Sequence, residues 1–420
     1  MFRLLRTMAV GLISILCFVA VFATSSEAME GKAGEVIRTE ADIKELEAKG
    51  LLTHGQVLVY TQIVRDFGVP IRIVGATDRS IVEARGTGSK SFWKYTQMNK
   101  GKASVGSGGE LLNYGGQGLP FSDVTPDDPQ AGVKAAWNFM LKHEADDFST
   151  KWRYFLTDDR GNIKNLVGYC LRDYWSFRTD IPPLPTIFPE KHHGVWYKER
   201  IGFIAPFASK GLSQMMVKYV DPRRESDVWV YVPGLRRITR IGGGNRCDCL
   251  GGFTFNMDDG YHWSGDNAKF NWKFLEAKEH LVVSISPYAP VKAGKTYVKG
   301  AHRPLPLLER RKVWVIEQTP KDPGYCYSKR MFYQDPENWF FQLTEIYDRA
   351  GRLWKMIDLD FGTFPNPEET GGGRTQTNCS GSTIDLRLWE GGCYYQYEVH
   401  TNPGLSPGLF TLDAMRRAGR

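Results

Sequence analysis

Beyond residue 23 the sequence holds no apolar run near the roughly 20 residues that a membrane-spanning helix needs, so the later chain is expected to be soluble. Catalytic signatures are also scarce. No Gly-x-Ser-x-Gly elbow occurs, which removes the common α/β-hydrolase nucleophile. The eight histidines are scattered, no His-Glu-x-x-His is present, and the one adjacent pair, His192-His193, falls in a loop-like stretch. Gly242-Gly243-Gly244 lacks the lysine and following helix of a phosphate-binding loop and reads as a turn into Cys247. Asp258-Asp259-Gly260 reads as a hairpin turn. Asp358 and Asp360 alternate with Leu359 and Phe361 on a strand, so neither pair of acids argues for glycoside hydrolysis. The expectation is a protein that is not an enzyme, with no catalytic residue, no cofactor and no metal.

A dividing linker is missing too. No Ser/Pro-rich or low-complexity tract interrupts the chain, and Pro182–Pro189, Pro304–Pro306 and Gly371-Gly372-Gly373 read as loops. One domain over residues 29–420 is expected. There is no dense basic block, and nucleic acid is not an expected partner.

The N-terminus carries Arg3 and Arg6, an apolar run from Met8 to Ala23, and Ser26-Glu27-Ala28, which is the grammar of a cleaved secretory signal over residues 1–28. Its removal takes away two positive charges and one negative, lowering the formal charge from +7 to +6. Cys17 lies inside the run, but Leu16 stands where a lipoprotein signal needs a small residue, so acylation there is not expected. A periplasmic protein, in contact with the outer membrane at most peripherally, is implied.

Export makes disulfides the natural use of the remaining cysteines: Cys170, Cys247, Cys249, Cys326, Cys379 and Cys393. Cys247 and Cys249 are too close in sequence to pair easily. Each is expected to reach a distant partner, with Cys379 and Cys393 the obvious candidates and Cys170 and Cys326 left over, among many open connectivities. No second Cys or His pair at zinc spacing accompanies them.

What the chain has in quantity is period-two alternation. Lys151–Leu156 and Ile163–Leu171 flank an Asp-Asp-Arg-Gly turn; Asn338–Ile346 and Leu353–Leu359 flank Asp348 to Gly351. Further strands are expected over Gln214–Tyr219, Val228–Val232, Phe270–Leu275, Leu281–Ile285, Arg311–Gln318, Ile384–Trp389 and Tyr394–Val399. Helical signals are three. Thr39 to Asp42 resembles a capping box before Ile43 and Leu46, with Gly50 as the stop. Asp128-Pro129 opens a helix with Val133, Ala136, Trp137 and Met140 on one stripe, and Leu409–Arg416 forms a last one. The fold class is therefore mostly β (α+β), an antiparallel meander.

Aromatic residues recur on alternate strand positions, and such a face either packs as core or lines a concave surface that accepts an acyl chain. The candidate lining residues are Trp229, Tyr231, Phe270, Trp272, Trp314 and Phe341, with the helix bearing Trp137 as lid or plug. Arg236, Arg237 and Arg240 follow the Pro233-Gly234 turn and are candidates for a lipid head group, a partner protein or plain solvent.

Gly118-Leu119-Pro120-Phe121, Asp128-Pro129-Gln130-Ala131-Gly132 with Ala136-Trp137-Asn138, and the run from Asp227 through Trp229 and Tyr231 to Ile238 together resemble the exported bacterial family called domain of unknown function 1329. Asn271-Trp272-Lys273, Arg311 to Glu317, Tyr327-Ser328-Lys329-Arg330 and Tyr347 to Gly351 with Leu353-Trp354 follow in the family's order, so the likeness runs from about Leu119 to Phe361. The resemblance implies kinship with the LolA, LolB and MucB group of outer-membrane lipoprotein-sorting proteins. Their fold is an unclosed antiparallel half-barrel wrapped around a few helices, with an apolar concave face. It further implies a hydrophobic, lipid-like ligand, an inner-membrane exporter of the resistance-nodulation-division type and an outer-membrane partner. The cysteines around 247–249 and 379–393 depart from the family's pattern and are expected to brace the cavity rim. Beside the carrier stand a scaffold or sensor with the same fold, and an enzyme needing a convergent His, Ser and carboxylate cluster.

Overall fold

The computed structural model describes residues 28–75, 88–160, 162–187, 193–221, 223–242, 246–247, 249, 253–284 and 307–419. The expected signal segment with Cys17, and Gly161, Pro189, His192, Gly243, Gly244, Ile285, Pro304–Pro306 and the Cys379 side chain, lie outside the described residues.

Helix α1 (Glu40–Ala48) forms as expected. The Thr39 hydroxyl accepts the Asp42 N–H, the Asp42 carboxylate accepts the Thr39 N–H, and Ile43 and Leu46 are buried. Helix α2 (His54–Phe67) was not expected, although Thr53 and Gln56 form the same reciprocal cap and Gly68 ends it in the left-handed region. Helix α3 (Lys90–Asn99), capped by Ser89, was likewise missed. Helix α4 (Ala131–Leu141) starts later than expected: Asp128 closes a turn, its carbonyl accepting the Ala131 N–H at 2.9 Å. The expected last helix is split, since Pro407–Phe410 is a 3-10 turn and Thr411 caps α5 (Leu412–Ala418).

The strands, in chain order, are β1 Val36–Ile37, β2 Ile71–Val74, β3 Gly88–Ser89, β4 Ser104–Val105, β5 Leu111–Leu112, β6 Asp147–Thr157, β7 Ile163–Tyr174, β8 Val195–Ala205, β9 Ser213–Tyr219, β10 Asp227–Val232, β11 Arg237–Ile241, β12 Phe270–Val283, β13 Leu307–Pro320, β14 Lys329–Gln334, β15 Phe341–Tyr347, β16 Leu353–Pro365, β17 Gly373–Asp385 and β18 Glu390–Thr401. One sheet joins all but β4 and β5. Strands β13 to β18 form one antiparallel meander; β18 then pairs back with β6, and β6 to β11 form a second. β2 lies parallel to β13 and carries β1 beyond it, while β12 pairs β13 along its length. The end strands β1 and β11 do not meet, so the sheet stays open, the expected mostly-β half-barrel.

Both expected hairpins form, closing at Thr157 opposite Ile163 and Tyr347 opposite Leu353. Two strand expectations are corrected. Phe270–Leu275 and the described part of Leu281–Ile285 belong to one strand, β12, kinked by a bulge between Phe274 and Glu276. The stretch Ile384–Trp389 stops being a strand at Asp385 and turns back through Trp389, whose φ is 52°.

Strand alternation assigns the helices to opposite faces. On β15 the Glu345 carboxylate accepts the Gly55 N–H of α2 at 2.8 Å, whereas its neighbour Thr344 bonds His262 of the Met257–His262 turn, also at 2.8 Å. The first face packs Ile43, Leu46, Val59 and Ile63 of α1 and α2 against Val313, Leu343, Met356 and Ile384. The second, the inner face, carries the 257–262 turn and α4, held where Gln334 donates to the Ala135 carbonyl. Gly132 allows this approach: a Cβ there would sit 2.6 Å from the Phe274 nitrogen of β12.

The acids read as a hairpin turn prove to be buried ion-pair partners. Asn256 caps the 257–262 turn, Asp258 pairs with Arg246 at 2.5 Å, and Asp259 pairs with Arg330 at 2.8 Å. A hairpin tip would leave both carboxylates in water; the turn instead folds inward beneath the sheet.

The disulfide expectation also needs correction. Cys247 bonds Cys326, one of the two cysteines left over in the sequence reading, because the 253–262 segment packs beside the start of β14 and carries Cys247 there. Cys249 is exposed, Cys170 is a buried thiol near Glu199, and Cys393 is buried on β18. The bond closes a loop of 79 residues. Replacing both Cys247 and Cys326 by Ser is expected to cost about 2–4 kcal/mol in urea unfolding, chiefly by freeing the unfolded chain. A difference under about 0.5 kcal/mol would show that losing the bond frees the unfolded chain little.

Candidate functional site

Four of the seven candidate lining residues meet on the inner face, but as packed core. Phe270 and Trp314 are buried, Phe341 is fully so, and Trp272 is half-buried. The Phe341 ring stacks on Phe139 of α4 at 4.1 Å and on Phe332 at 4.2 Å, while Trp314 meets Trp339 edge-on at 5.5 Å. Rings this close leave no room for a chain between them.

Trp229 and Tyr231 sit elsewhere. They pair across from Met215 and Ser213, on the β9 face opposite Lys218, and Tyr231 packs with Met215 and Met415 of α5. Period-two alternation turns them away from the inner face. Arg236, Arg237 and Arg240 are exposed on the hairpin joining β10 to β11, the open edge of the sheet, and of the three only Arg240 has an acidic partner among the described residues, Asp227.

The seventh, Trp137, borders a cavity of about 220 Å³ between α4 and strands β8 and β9. One wall is apolar: Leu111, Tyr114, Trp137, Met140, Phe177 and Trp196. Trp137 is fixed by its indole N–H donating to the Gly109 carbonyl at 2.9 Å. The other wall is polar, formed by Lys218, Arg224, Glu225, Arg246, Asp266, Asn267 and Lys269. Lys218 is on β9 but buried, and donates to the carbonyls of Ser264 and Gly265 at 2.8 and 2.9 Å. Burial, with Arg246 close by, pushes its ammonium down to about 7. Sequence reasoning missed all of this wall. The available signal was a lysine at an alternating position inside the apolar strand Met215–Tyr219.

Deeper in the inner face, Arg172 of β7 donates to Glu199 and Glu144 and lies among the rings of Tyr174, Tyr197 and Tyr261. Removing its charge from water is balanced by these two carboxylates, a demanding arrangement that fixes β7 against β8.

Among the described residues one buried His-carboxylate cluster stands out. His143 bonds Asp180 at 2.8 Å and the Thr375 hydroxyl at 3.3 Å, and Ser89 and Ser91 donate to the same Asp180. Both serine hydroxyls spend their protons on the carboxylate, so neither is activated by the imidazole. Thr375 is fully buried, and the adjoining cavity of about 30 Å³ has room for roughly one water. The cluster acts as a hydrogen-bond hub tying Asn366 and Asn402 to the same carboxylate. No group of metal-ligating side chains occurs among the described residues, and none of their helices is long and apolar enough to cross a membrane.

Among solved structures the chain is similar to a candidate outer-membrane lipoprotein-sorting protein domain from Vibrio parahaemolyticus, at 15% identity and a TM-score of 0.50, over 69% of this chain and 100% of that one. It is also similar to a DUF1329 family protein from Desulfovibrio piger, at 14% identity, TM-score 0.48, over 69% and 99%. A LolA superfamily protein from Nitrosomonas europaea matches at 13%, TM-score 0.39, over 66% and 94%. The first of these supports the half-barrel fold. No curated protein registers as a match. The family model described as "Protein of unknown function (DUF1329)" matches residues 51–385, starting well before Leu119, and the chain accordingly belongs to the DUF1329 family.

Proposed function

We propose that this protein is a non-catalytic carrier for hydrophobic small molecules in the periplasm, exported by its N-terminal signal and acting as one domain over residues 29–420. The observation that carries the reading is the cavity of about 220 Å³ on the inner face of an open sheet, with Trp137, Phe177 and Trp196 on one wall. Covering apolar ligand surface there stabilises the complex by roughly 25 cal/mol per Å², enough to hold a chain against water and still release it to a membrane. The lipoprotein-sorting relative of the same fold is consistent with this role. The aromatic block around Phe341 is, in this reading, the floor that keeps the cavity shaped.

Delivery between membranes needs a docking surface, and we assign it to the β10–β11 hairpin. Leu235 is 73% exposed at its tip, and Arg236 and Arg237 flank it without acidic partners among the described residues. The inner-membrane exporter and outer-membrane protein implied by the family resemblance would be met there. The same hairpin is what favours a scaffold or sensor instead.

Titration with N-phenyl-1-naphthylamine, a neutral apolar probe, tests the carrier. Saturable binding is expected, weakened roughly tenfold or more by Phe177→Asp, which places a charge on the apolar wall. Trp229→Ala, altering the opposite face, is expected to leave it unchanged. No binding by the folded wild-type protein, together with no apolar molecule in organic extracts of detergent-free preparations, would move the assignment to a scaffold or sensor.

A further inference from the structure

We infer that the polar wall of this cavity is built for the anionic oxygen head of an amphiphile, a carboxylate or phosphate monoester, whose apolar body lies along Trp137, Met140 and Trp196. The inference rests on the carrier reading and narrows it to a ligand class.

Counting donors and acceptors carries it. The Lys218 ammonium has three N–H groups; two go to the Ser264 and Gly265 carbonyls, and no carboxylate among the described residues lies within ion-pair distance, 4.0 Å. Asn267 is 1% exposed. Its side-chain oxygen accepts the Trp263 indole N–H at 2.7 Å, and because an indole only donates, the amide nitrogen must point the other way. That nitrogen is buried without an acceptor. An orphaned buried donor costs about 1–3 kcal/mol unless something fills the place. Arg224 donates one N–H to the His193 carbonyl and stacks 3.3 Å over Tyr219, with no acidic partner among the described residues.

Two of the remaining cations on this wall are paired: Arg246 is held by Asp258, and Lys269 lies 3.8 Å from Glu225. Asp266 accepts the Ala268 N–H and has no cation within 4.0 Å among the described residues. Against the one unpaired carboxylate stand three side chains with donors to spare, Lys218, Asn267 and Arg224, two of them cationic, so the balance of the wall favours an anion. An alcohol head would satisfy one donor and add another; an amine head would be repelled. A head of acceptors bearing negative charge suits the donors that Lys218, Asn267 and Arg224 bring to this one lining. At about 220 Å³ the cavity is smaller than the roughly 300–1,000 Å³ that encloses a drug-sized molecule, so it takes a head and part of a single chain, not a diacyl lipid.

Proton linkage follows. Lys218 is faced by Arg246, Asp258 and Asp266 from the 246–266 segment and by Arg172 from β7, and burial holds it near 7. A bound anion favours the ammonium, so affinity is highest below pH 7 and falls as the lysine deprotonates above it.

Isothermal titration of the purified protein with decanoate, decyl phosphate and decanol decides the matter. Decanoate or decyl phosphate is expected to bind at least about tenfold tighter than decanol at pH 6, with that preference reduced about tenfold by pH 8.5. The tighter of the two anions identifies which source the head comes from. Lys218→Met should abolish the preference while keeping decanol affinity, and Lys218→Arg should keep the preference and flatten its pH dependence. Equal affinity for decanoate, decyl phosphate and decanol in the wild type, or a preference that survives Lys218→Met, overturns the head assignment and leaves the carrier standing. Absence of binding by all three probes removes the carrier reading as well.

Discussion

Phe341→Ala is expected to lower the unfolding free energy by about 3–5 kcal/mol, read as a shift of the urea midpoint at unchanged slope. The ring is fully buried, stacked between Phe139 of α4 and Phe332 of β14, with Trp272 of β12 beyond. Three separate elements converge on it, and none can close over the void without pulling away from its own hydrogen-bonded neighbours. The cavity left behind therefore adds to the lost transfer energy. The same variant separates a packed core from a ligand surface. If Phe341 lined an open cavity, truncation would cost below about 1 kcal/mol and would instead weaken binding of the naphthylamine probe. A large loss of stability with probe binding retained is the expected pattern.

Arg330→Met is expected to cost about the same, roughly 3–5 kcal/mol, by a different route. Arg330 is 1% exposed, donates to Asp259, Gln318 and Tyr325, and lies beside the rings of Trp263 and Tyr327. Taking it away strands the Asp259 carboxylate in the interior with the Tyr327 hydroxyl and the Asn256 N–H as its remaining donors. Removing both charges, as Arg330→Met with Asp259→Leu, should recover a good part of the loss, because the penalty comes from the unpaired ion more than from the absent pair. If the single variant loses under about 1 kcal/mol, or the double variant is no better than the single, the network does not hold the 257–262 turn in place.

The hairpins were legible because their information is local. Asp158 to Asn162 and Asp348 to Arg352 make their turn bonds within five residues, and the flanking alternation extends the pairing outward. Helix α2 was not, although its cap at Thr53 and Gln56 is as clear as that of α1. Val57, Leu58, Val59 and Tyr60 imitate a strand, and packing of Val59 and Ile63 on the sheet face opposite the 257–262 turn overrules that local preference. Strand β8 was hidden for the opposite reason. Its Lys198, Glu199 and Arg200 break the apolar pattern, and Glu199 is tolerated inside because Arg172 stands directly across.

For the site, alternation grouped Trp229 with Tyr231 and Phe270 with Trp272 on common strand faces, and helical spacing placed Trp137 on its helix; in the structure these rings are buried or half-buried. Alternation could not tell an inner face from an outer one, since both faces of this sheet are covered. The cysteine pairing failed similarly, for the bond between Cys247 and Cys326 depends on where a folded segment comes to lie.

By itself the sequence determined the two hairpins and several further antiparallel strands, the start of helix α1, the aromatic wealth of the interior and the family, because turn chemistry, caps and period-two patterning act over a few residues. Only the tertiary structure decided which aromatics are core and which border a cavity, and that Lys218, Asn267 and Arg224 converge on it. Such convergence joins a strand, the loop that follows it and a short turn later in the chain, and the energy that unites them is burial and charge pairing in three dimensions, which no local pattern encodes.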